Sequence, residues 1–395
     1  MMRKNLATVF QSLFSNFRTG VLTFVIGIPT LLVVYFLIRF VFFDANWRII
    51  TENLRLFYLG TYPQGEEWRV WVPVFLLSSV IGLSYGISAA NIRKFLLIIS
   101  IGIIFFLVLG LGFIPNRLNA FSVGLAIPFG KGWLNTFAMF AISVLSVFAG
   151  RLWLRHFYRM NKSIIFLGIL WLIPVVLALF LQVNISPNRW NGLFLDVMVF
   201  WVGGLLSLPL GILLAVARTS KFEVIRYSAT AYIEIVRAGP LIVWLILALF
   251  LWNDIFFTTN KVHRGMLVFG FFGAAYIAEV VRGGLQSIQK GQYEASISLG
   301  LNPFSVYFYV IIPQAIRAVI PALVGRFIAL WKDTSLLLGL TLINTLEVAT
   351  AILEGKPSNG EFLLEIYLII ALFYWVVSFV LSRIGRNLEK TLKVS

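Results

Sequence analysis

Long apolar runs separated by short polar segments make up most of this chain. A run of about 20 mostly apolar residues is long enough to cross a membrane as a helix. The sequence contains ten such runs. They lie at 20–43, 71–90, 95–114, 133–150, 164–183, 193–217, 239–257, 264–281, 317–343 and 362–382. We therefore predict an all-α polytopic membrane protein with ten crossings, although the run at 133–150 is short and the run at 317–343 is interrupted.

The first apolar run has some features of a secretory signal peptide. It extends from Val21 to Ile38 and follows a basic segment. The apolar part of a signal peptide is only about 7–15 residues long and ends at a small-residue cleavage site. Here the run continues into Arg39, Phe42 and Asp44. We therefore expect it to be retained as the first membrane helix.

The distribution of basic residues predicts the orientation of the crossings. With the N-terminus in the cytoplasm, twenty Lys and Arg residues fall in inner segments and nine in outer segments. Cytoplasmic loops of membrane proteins carry an excess of Lys and Arg. This distribution favours ten crossings with both termini in the cytoplasm. Losing one early crossing would place the basic loop at 151–162 on the outside.

Composition limits the classes of protein that fit this pattern. Apolar residues make up 60% of the chain and charged residues 12%, whereas soluble domains contain about 25% charged residues. The net charge of +16 could indicate nucleic acid, but the basic residues follow the membrane pattern, so we expect no nucleic-acid partner. Without cysteine, disulfides and thiolate metal sites are impossible.

Candidate catalytic groups are sparse. His156 and His263 are isolated, so we expect no metal site. The segment 124–131 superficially resembles a phosphate-binding loop, but its spacing is one residue too long and Gly132 replaces the required Ser or Thr. The sequence shows no cluster of nucleophile and base, which argues against a membrane-embedded enzyme. We expect neither an enzyme nor a cofactor.

The segment from Gly291 to Pro313 lies on the predicted cytoplasmic side, yet it is not an ordinary polar loop. A short helix is predicted from Gln292 to Leu299, with Glu294 in its first turn, where a negative charge favours the helix dipole. Gly300 suits the left-handed conformation that ends a helix. The pair Asn302-Pro303 suits the start of the next helix. Such a hairpin can dock in a groove of a partner or simply connect two helices.

Resemblance to a known family favours docking. Glu294-Ala295-Ser296, followed by Gly300 and then Pro313, resembles the EAA loop of ABC importer permeases. Ser296 stands where Ala is usual, and Val310 where Ile is usual. The resemblance implies a coupling helix that docks on an ATPase subunit. It assigns the ATPase contact to six residues: Gln292, Glu294, Ala295, Ser296, Gly300 and Pro313.

Four further stretches resemble the polar amino-acid branch of that family. They lie at 206–215, 232–241, 275–288 and 332–335. The resemblance covers about 190–395, which implies a five-helix permease core at 190–395. The first part, 1–185, lacks these motifs. It resembles the extension, here of about five membrane helices, found in permeases of general L-amino-acid importers.

The resemblance also implies partners and a mechanism. Two cytoplasmic ABC ATPases, a second permease that is a homologous but different chain, and an extracytoplasmic amino-acid-binding protein are expected. Together they would import an amino-acid substrate across the lipid bilayer of the bacterial inner membrane by alternating access. The alternative is a secondary amino-acid transporter that is not coupled to ATP. Such a transporter should have two structurally related halves, whereas only the second half carries the motifs.

Two Glu–Arg pairs are candidate ion pairs. Glu234 and Arg237, and likewise Glu279 and Arg282, are separated by three residues. On a helix such side chains are neighbours. Glu279 follows a long apolar run, and a carboxylate inside a membrane usually has a partner or faces water. The four residues are therefore expected to form structural ion pairs, with Glu279 alternatively lining the substrate pathway.

A polar break interrupts the run at 317–343. Lys332, Asp333, Thr334 and Ser335 lie fifteen or more residues beyond Arg317, or ~22 Å along a helix at 1.5 Å per residue. Broken helices carry midplane substrate sites in transporters. Asp333 is a candidate acceptor for a substrate ammonium, with Thr334 and Ser335 as donors to its carboxylate. Alternatively, Lys332 and Asp333 form an internal pair that shapes the gate.

Overall fold

The computed structural model of the protein describes residues 17–88, 145–146, 148–149, 164–182, 185–251, 260–355 and 357–393. Within these ranges the regular structure is helical, and the β-type pairing consists of a single isolated bridge between Gly192 and Asn344. The all-α prediction is confirmed. The predicted crossing at 95–114, most of that at 133–150, the segment 124–131 and the basic loop at 151–162 lie outside the described residues.

The helices are numbered here along the described parts of the chain. Those of the first part are α1 Phe17–Arg39, which continues as a π-helical turn Phe40–Asp44, α2 Arg48–Leu59, α3 Trp68–Ser88 and α4 Ile164–Leu181. Those of the second part are α5 Gly192–Arg218, α6 Glu223–Ala238, α7 Leu241–Phe250, α8 Lys261–Ser287, α9 Lys290–Ser298, α10 Ile312–Asp333, α11 Thr345–Glu354 and α12 Leu363–Lys393.

Five helical segments of the described chain are long and apolar enough to cross a membrane, and six if the bent pair α6–α7 counts as one. The five match the predicted runs at 20–43, 193–217, 264–281, 317–343 and 362–382. In the run at 239–257, the described residues form the ten-residue helix α7, which is set at 101° to α6, and the rest of the run, from 252 onward, lies outside the described residues. Pro240 lies at this corner, and proline cannot continue a helix because it lacks the N–H group.

Among the described helices of the second part, α5 and α8 have the most extensive contact, and small residues allow it. A Cβ added at Gly203 would lie 2.6 Å from the Phe269 Cβ. One added at Gly273 would lie 2.8 Å from the Ser207 Cβ. Small residues allow membrane helices to approach closely, which gains van der Waals contact where no hydrophobic effect drives association.

The run at 317–343 belongs to a longer helical rod. The rod begins with a single α-helical turn, Pro303–Ser305, continues through a π-helical segment, Val306–Ile311, and then becomes α10. At Thr334 the rod tightens into a 3₁₀-helix that ends at Leu340. Thr341 then adopts a left-handed conformation with φ 56°. The predicted interruption is therefore a change of helix type, followed by a chain reversal.

The polar and aromatic segment from Asp44 to Arg69 contains the amphipathic helix α2. Its apolar side packs on the second part of the chain: Ile50 and Phe57 are buried together with Ile352, Ile366 and Phe373. This helix is not among the ten predicted apolar runs because it is too short and too polar to stand out as one of them. The role of its apolar side is clear only in the folded structure, where that side is buried on α11 and α12.

Candidate functional site

The hairpin predicted at 291–313 forms with the caps that the sequence predicts. Gly300 has φ +77°, in the left-handed region where glycine carries no steric penalty. The Asn302 side chain accepts a hydrogen bond of 2.8 Å from the Ser305 amide, and Pro303 follows as the first helical residue. One detail differs, because α9 begins at Lys290. Glu294 therefore lies in the second turn, where it gains less from the helix dipole than predicted.

The side chains of α9 divide between a solvent-facing and a protein-facing side. Glu294 and Ala295 are exposed, as is the neighbouring Leu299. Ser296 is buried, and its hydroxyl donates to the Gln292 carbonyl at 2.6 Å. We expected Ser296 to let a partner approach closely, but it faces the protein, because its hydroxyl bonds back to the helix and its side chain packs inward.

A side-chain hydrogen bond joins the hairpin to the membrane helix that follows. The Gln292 side-chain carbonyl accepts a hydrogen bond of 3.0 Å from the Gln314 side chain in α10. The helix α10 begins directly after the π-helical segment Val306–Ile311, and Pro313 is its second residue. A proline supplies no N–H to the helix, so a change of hydrogen-bond pattern is favoured just before it. A displacement of α9 would therefore be transmitted to α10 through the Gln314–Gln292 hydrogen bond.

Three guanidinium groups converge on the carboxylate of Glu279. Arg218, the last residue of α5, donates to Glu279 and also lies 3.1 Å from Glu234. Arg282 lies 3.0 Å from Glu279, and Arg237 lies 3.4 Å from it. The side chain of Glu279 is only 19% exposed. A carboxylate so fully engaged favours the structural ion-pair interpretation over a substrate contact.

The pairing differs from the prediction in one respect. Glu279 and Arg282 do meet, but Glu234 pairs with Arg218 and Arg237 turns toward Glu279. The reason is that Arg218 reaches from α5 between the two acidic residues, which spacing along one helix cannot reveal. The cluster therefore joins the ends of α5, α6 and α8 rather than forming two separate local pairs.

An aromatic ring extends this cluster toward α10. The guanidinium carbons of Arg237 and Arg326 lie 5.4 Å and 4.9 Å from the centroid of the Tyr276 ring. Both distances are typical of cation–π contacts. Arg326 lies within the apolar run at 317–343. Its proximity to Tyr276 brings α10 into contact with α8 beside the ion-pair cluster.

The polar break contains residues in three different environments. Lys332 is exposed, while Asp333 and Ser335 are partly exposed. Thr334 is fully buried, and its hydroxyl donates to the Trp331 carbonyl at 2.8 Å. The prediction that Thr334 donates to a substrate therefore fails, because the 3₁₀ turn points its hydroxyl into the protein. Among the ion pairs within the described chain, none joins Lys332 to Asp333.

A buried polar cluster behind the break was missed by sequence reasoning. It comprises Asp196 of α5, Thr334, Asn344, Thr345 and Tyr374. Asp196 is completely inaccessible to solvent. The signal that could have found it is a single carboxylate in the apolar run at 193–217, since acidic residues are rare inside membrane helices.

Comparison with known proteins places the chain in a family. A family model described as the inner membrane component of binding-protein-dependent transport systems matches residues 207–394. The inner membrane amino-acid ABC transporter permease protein YhdY of Escherichia coli strain K12 is 36% identical over 288 residues, which are 70% of this chain and 76% of that protein. The probable glutamine ABC transporter permease protein GlnP of Bacillus subtilis strain 168 is 31% identical over 200 residues, covering 51% of this chain and 91% of that protein.

A solved structure, that of an amino acid ABC transporter with histidines, aligns with 28% identity and a TM-score of 0.45, covering 51% of this chain and 92% of that chain. The match to YhdY exceeds 30% identity over more than two thirds of both proteins. On that similarity, and on the family model that matches across the α9 hairpin and the polar break, this chain belongs to the family of inner membrane components of binding-protein-dependent transport systems.

Proposed function

We propose that this chain is the membrane-spanning permease subunit of an ATP-driven, binding-protein-dependent importer of amino acids. The observation that carries the proposal is the cytoplasmic hairpin, whose exposed helix α9 ends at the left-handed Gly300 and is hydrogen-bonded to α10. A hairpin built in this way can transmit movement from a docked ATPase to a membrane helix. The amino-acid substrate is inferred from the relatives, two of which are described as amino-acid and glutamine transporters.

The partners follow from this role. ATP hydrolysis belongs to two ATPase subunits, each docked on one coupling helix, while a second, homologous but different permease completes the pathway. An extracytoplasmic binding protein delivers the amino acid. On this chain, the exposed residues Glu294 and Ala295 are the proposed direct contacts of the ATPase. The buried Ser296 packs α9 against the protein, and the exposed Gln292 ties α9 to Gln314 of α10, the helix that contains Pro313.

The chain divides, in this proposal, into an extension at 1–185 and a permease core at 190–395. The match to YhdY spans 70% of the chain, so it reaches beyond the core into the extension. That reach supports the extension as a feature shared with an amino-acid permease. Its helix α2 packs on α11 and α12 of the core, which gives the extension a structural role at the outer end of the pathway.

Purification of the chain with its natural partners tests the proposal. In mild detergent, we expect it to copurify with an ABC ATPase and a second permease, identified by mass spectrometry. In proteoliposomes containing that complex and an amino-acid-binding protein, uptake of labelled amino acid should require ATP inside the vesicles and be blocked by vanadate. Uptake driven by an ion gradient without ATP would instead support a secondary transporter.

The proposed orientation places both termini in the cytoplasm of a bacterial inner membrane. Reporter fusions after Lys162 should report the cytoplasm, because a basic loop is retained on that side. Fusions after Arg189, one crossing later, should report the outside. The opposite pair of results would mean that the extension contains one crossing fewer than predicted. A fusion after Arg386, five predicted crossings beyond Arg189, should report the cytoplasm and should reverse together with the other two fusions if the extension lacks a crossing.

A further inference from the structure

The carboxylate of Asp196 is held by hydrogen bonds rather than by a cation. Its Oδ2 atom accepts hydrogen bonds from the Thr345 amide at 3.1 Å and the Thr345 hydroxyl at 2.5 Å. The Tyr374 hydroxyl lies 3.4 Å from the same oxygen. In the part of the chain that the structure describes, Oδ1 has no hydrogen-bond partner and no Lys or Arg lies within ion-pair distance.

Such a site is energetically expensive. Burying a carboxylate without a cation costs far more than burying a neutral residue. A carboxylate within a membrane helix is therefore usually retained for a function. Packing alone would be served better by an apolar residue, since α5 is otherwise apolar around this position.

The partners of Asp196 connect it to the polar break. Thr345 is the first residue of α11, and Asn344 caps that helix by accepting a hydrogen bond from the Glu347 amide at 2.9 Å. The side-chain amide nitrogen of Asn344, Nδ2, donates a hydrogen bond to the Thr334 carbonyl at 2.9 Å. That carbonyl lies at the start of the 3₁₀-helix, where the hydrogen-bond pattern of α10 changes. One side chain thus bonds both the break and the start of α11.

A second link fixes the same region to the start of α5. The Gly192 amide donates to the Ile343 carbonyl at 2.8 Å, forming the isolated bridge of this structure. Asp196 lies one helical turn farther along α5 and bonds the residue that follows Asn344. The two links hold the chain reversal at 341–344 against α5. The position of the break relative to α5 therefore depends on them.

We propose that Asp196 is a positioning residue for substrate passage. It fixes the position, relative to α5, of the polar break that contains Asp333 and Ser335. This inference rests on the proposed function, because it assumes that the break lines the pathway. Asp196 does not touch the substrate, since it is fully buried. It acts through Thr345 and Asn344, and its hydrogen-bonding oxygen matters rather than its charge.

Two substitutions at this position separate these roles. Asp196→Asn keeps an oxygen acceptor for Thr345, and the amide nitrogen that replaces Oδ1 is without a partner as Oδ1 is, so the number of unpartnered buried atoms at this side chain is unchanged. Asp196→Leu has a similar shape but no acceptor, so the two donors of Thr345 lose their partner. We expect Asp196→Asn to keep uptake within about threefold of the parent, and Asp196→Leu to lower it roughly tenfold, because unpaired buried donors are costly.

Stability must be separated from positioning, and the neighbouring Leu195 provides the control. Leu195→Ala opens a cavity in the same turn of α5 but removes no bond to the break. In the reconstituted complex, we expect Leu195→Ala to lower the Tm without changing the apparent KM for loaded binding protein. Asp196→Leu should raise that KM several-fold, while ATPase binding and basal ATP hydrolysis persist.

The outcomes are distinguishable from failure of the proposed function. If the parent complex shows no ATP-dependent uptake, the proposed function itself is wrong. If the parent transports and Asp196→Leu has the KM of Leu195→Ala, Asp196 contributes stability only and the inference is overturned. If Asp196→Asn is as impaired as Asp196→Leu, the charge matters rather than the acceptor, and the inference is overturned as well.

Discussion

Replacing Gly300 with valine is expected to remove most ATP-driven transport. The residue has φ +77°, and no atom lies within 4 Å of the position that a Cβ would occupy. The penalty is therefore conformational and not steric crowding by neighbours. A left-handed conformation costs a residue with a Cβ roughly 1–2 kcal/mol, and more for a β-branched one. Either α9 or the following turn must shift, which misaligns the docking surface.

Uptake and substrate-stimulated ATP hydrolysis should fall together. Each 1.4 kcal/mol of conformational penalty that opposes the docked arrangement should lower both rates by about tenfold. Gly300→Asn is the first control and should retain more activity, because asparagine tolerates the left-handed region. Gly291→Val is the second control. Gly291 lies within α9, also with open space around it but without a positive φ, so the activity of Gly291→Val should remain near that of the parent. Equal activity in Gly300→Val and Gly291→Val would disprove the role of the turn.

The charge of the docking surface can be tested at Glu294. Its side chain is exposed on α9, so substitution leaves the fold of the hairpin intact. Glu294→Lys should weaken ATPase binding and lower both uptake and hydrolysis, whereas Glu294→Gln should have a smaller effect. Normal copurification of the ATPase with the lysine variant would show that docking does not involve this face.

Neutralising Asp333 is expected to lower uptake while the ATPases stay bound. Asp333 is partly exposed beside Lys332, at the junction of α10 and the 3₁₀-helix. A hydrogen bond to a charged group contributes about 1.5–3 kcal/mol. Loss of an acceptor for the substrate ammonium should therefore lower uptake by one to two orders of magnitude. Basal ATP hydrolysis should persist, because the coupling hairpin is unchanged.

A double substitution distinguishes a substrate contact from an internal pair. If Asp333 only neutralised Lys332, adding Lys332→Met to Asp333→Asn would restore uptake. The structure gives no ion pair between these two residues within the described chain, so we expect no restoration. Ser335→Ala is a milder companion change, since its hydroxyl donates to the Lys332 carbonyl at 2.9 Å. Full uptake in Asp333→Asn alone would contradict both explanations.

The sequence determined the class of the protein through the period and length of its apolar runs. A membrane-crossing helix can be predicted from about 20 consecutive apolar residues alone, because its contact with lipid requires local hydrophobicity whatever the helix packs against. The coupling hairpin was equally local. Its helix end at Gly300 and its cap at Asn302 depend on residues within a few positions of each other. Both features could therefore be predicted without knowing how the chain packs.

Tertiary structure decided which polar groups meet. Spacing along a helix predicted a Glu234–Arg237 pair, but Arg218 arrives from another helix and takes Glu234 instead. Thr334 lies in the predicted break, yet the 3₁₀ turn buries its hydroxyl. Asp196 gains its importance only from Thr345, 149 residues away. Hydrogen bonds and ion pairs between distant segments depend on directions and distances of a few ångströms, which only the packed helices define.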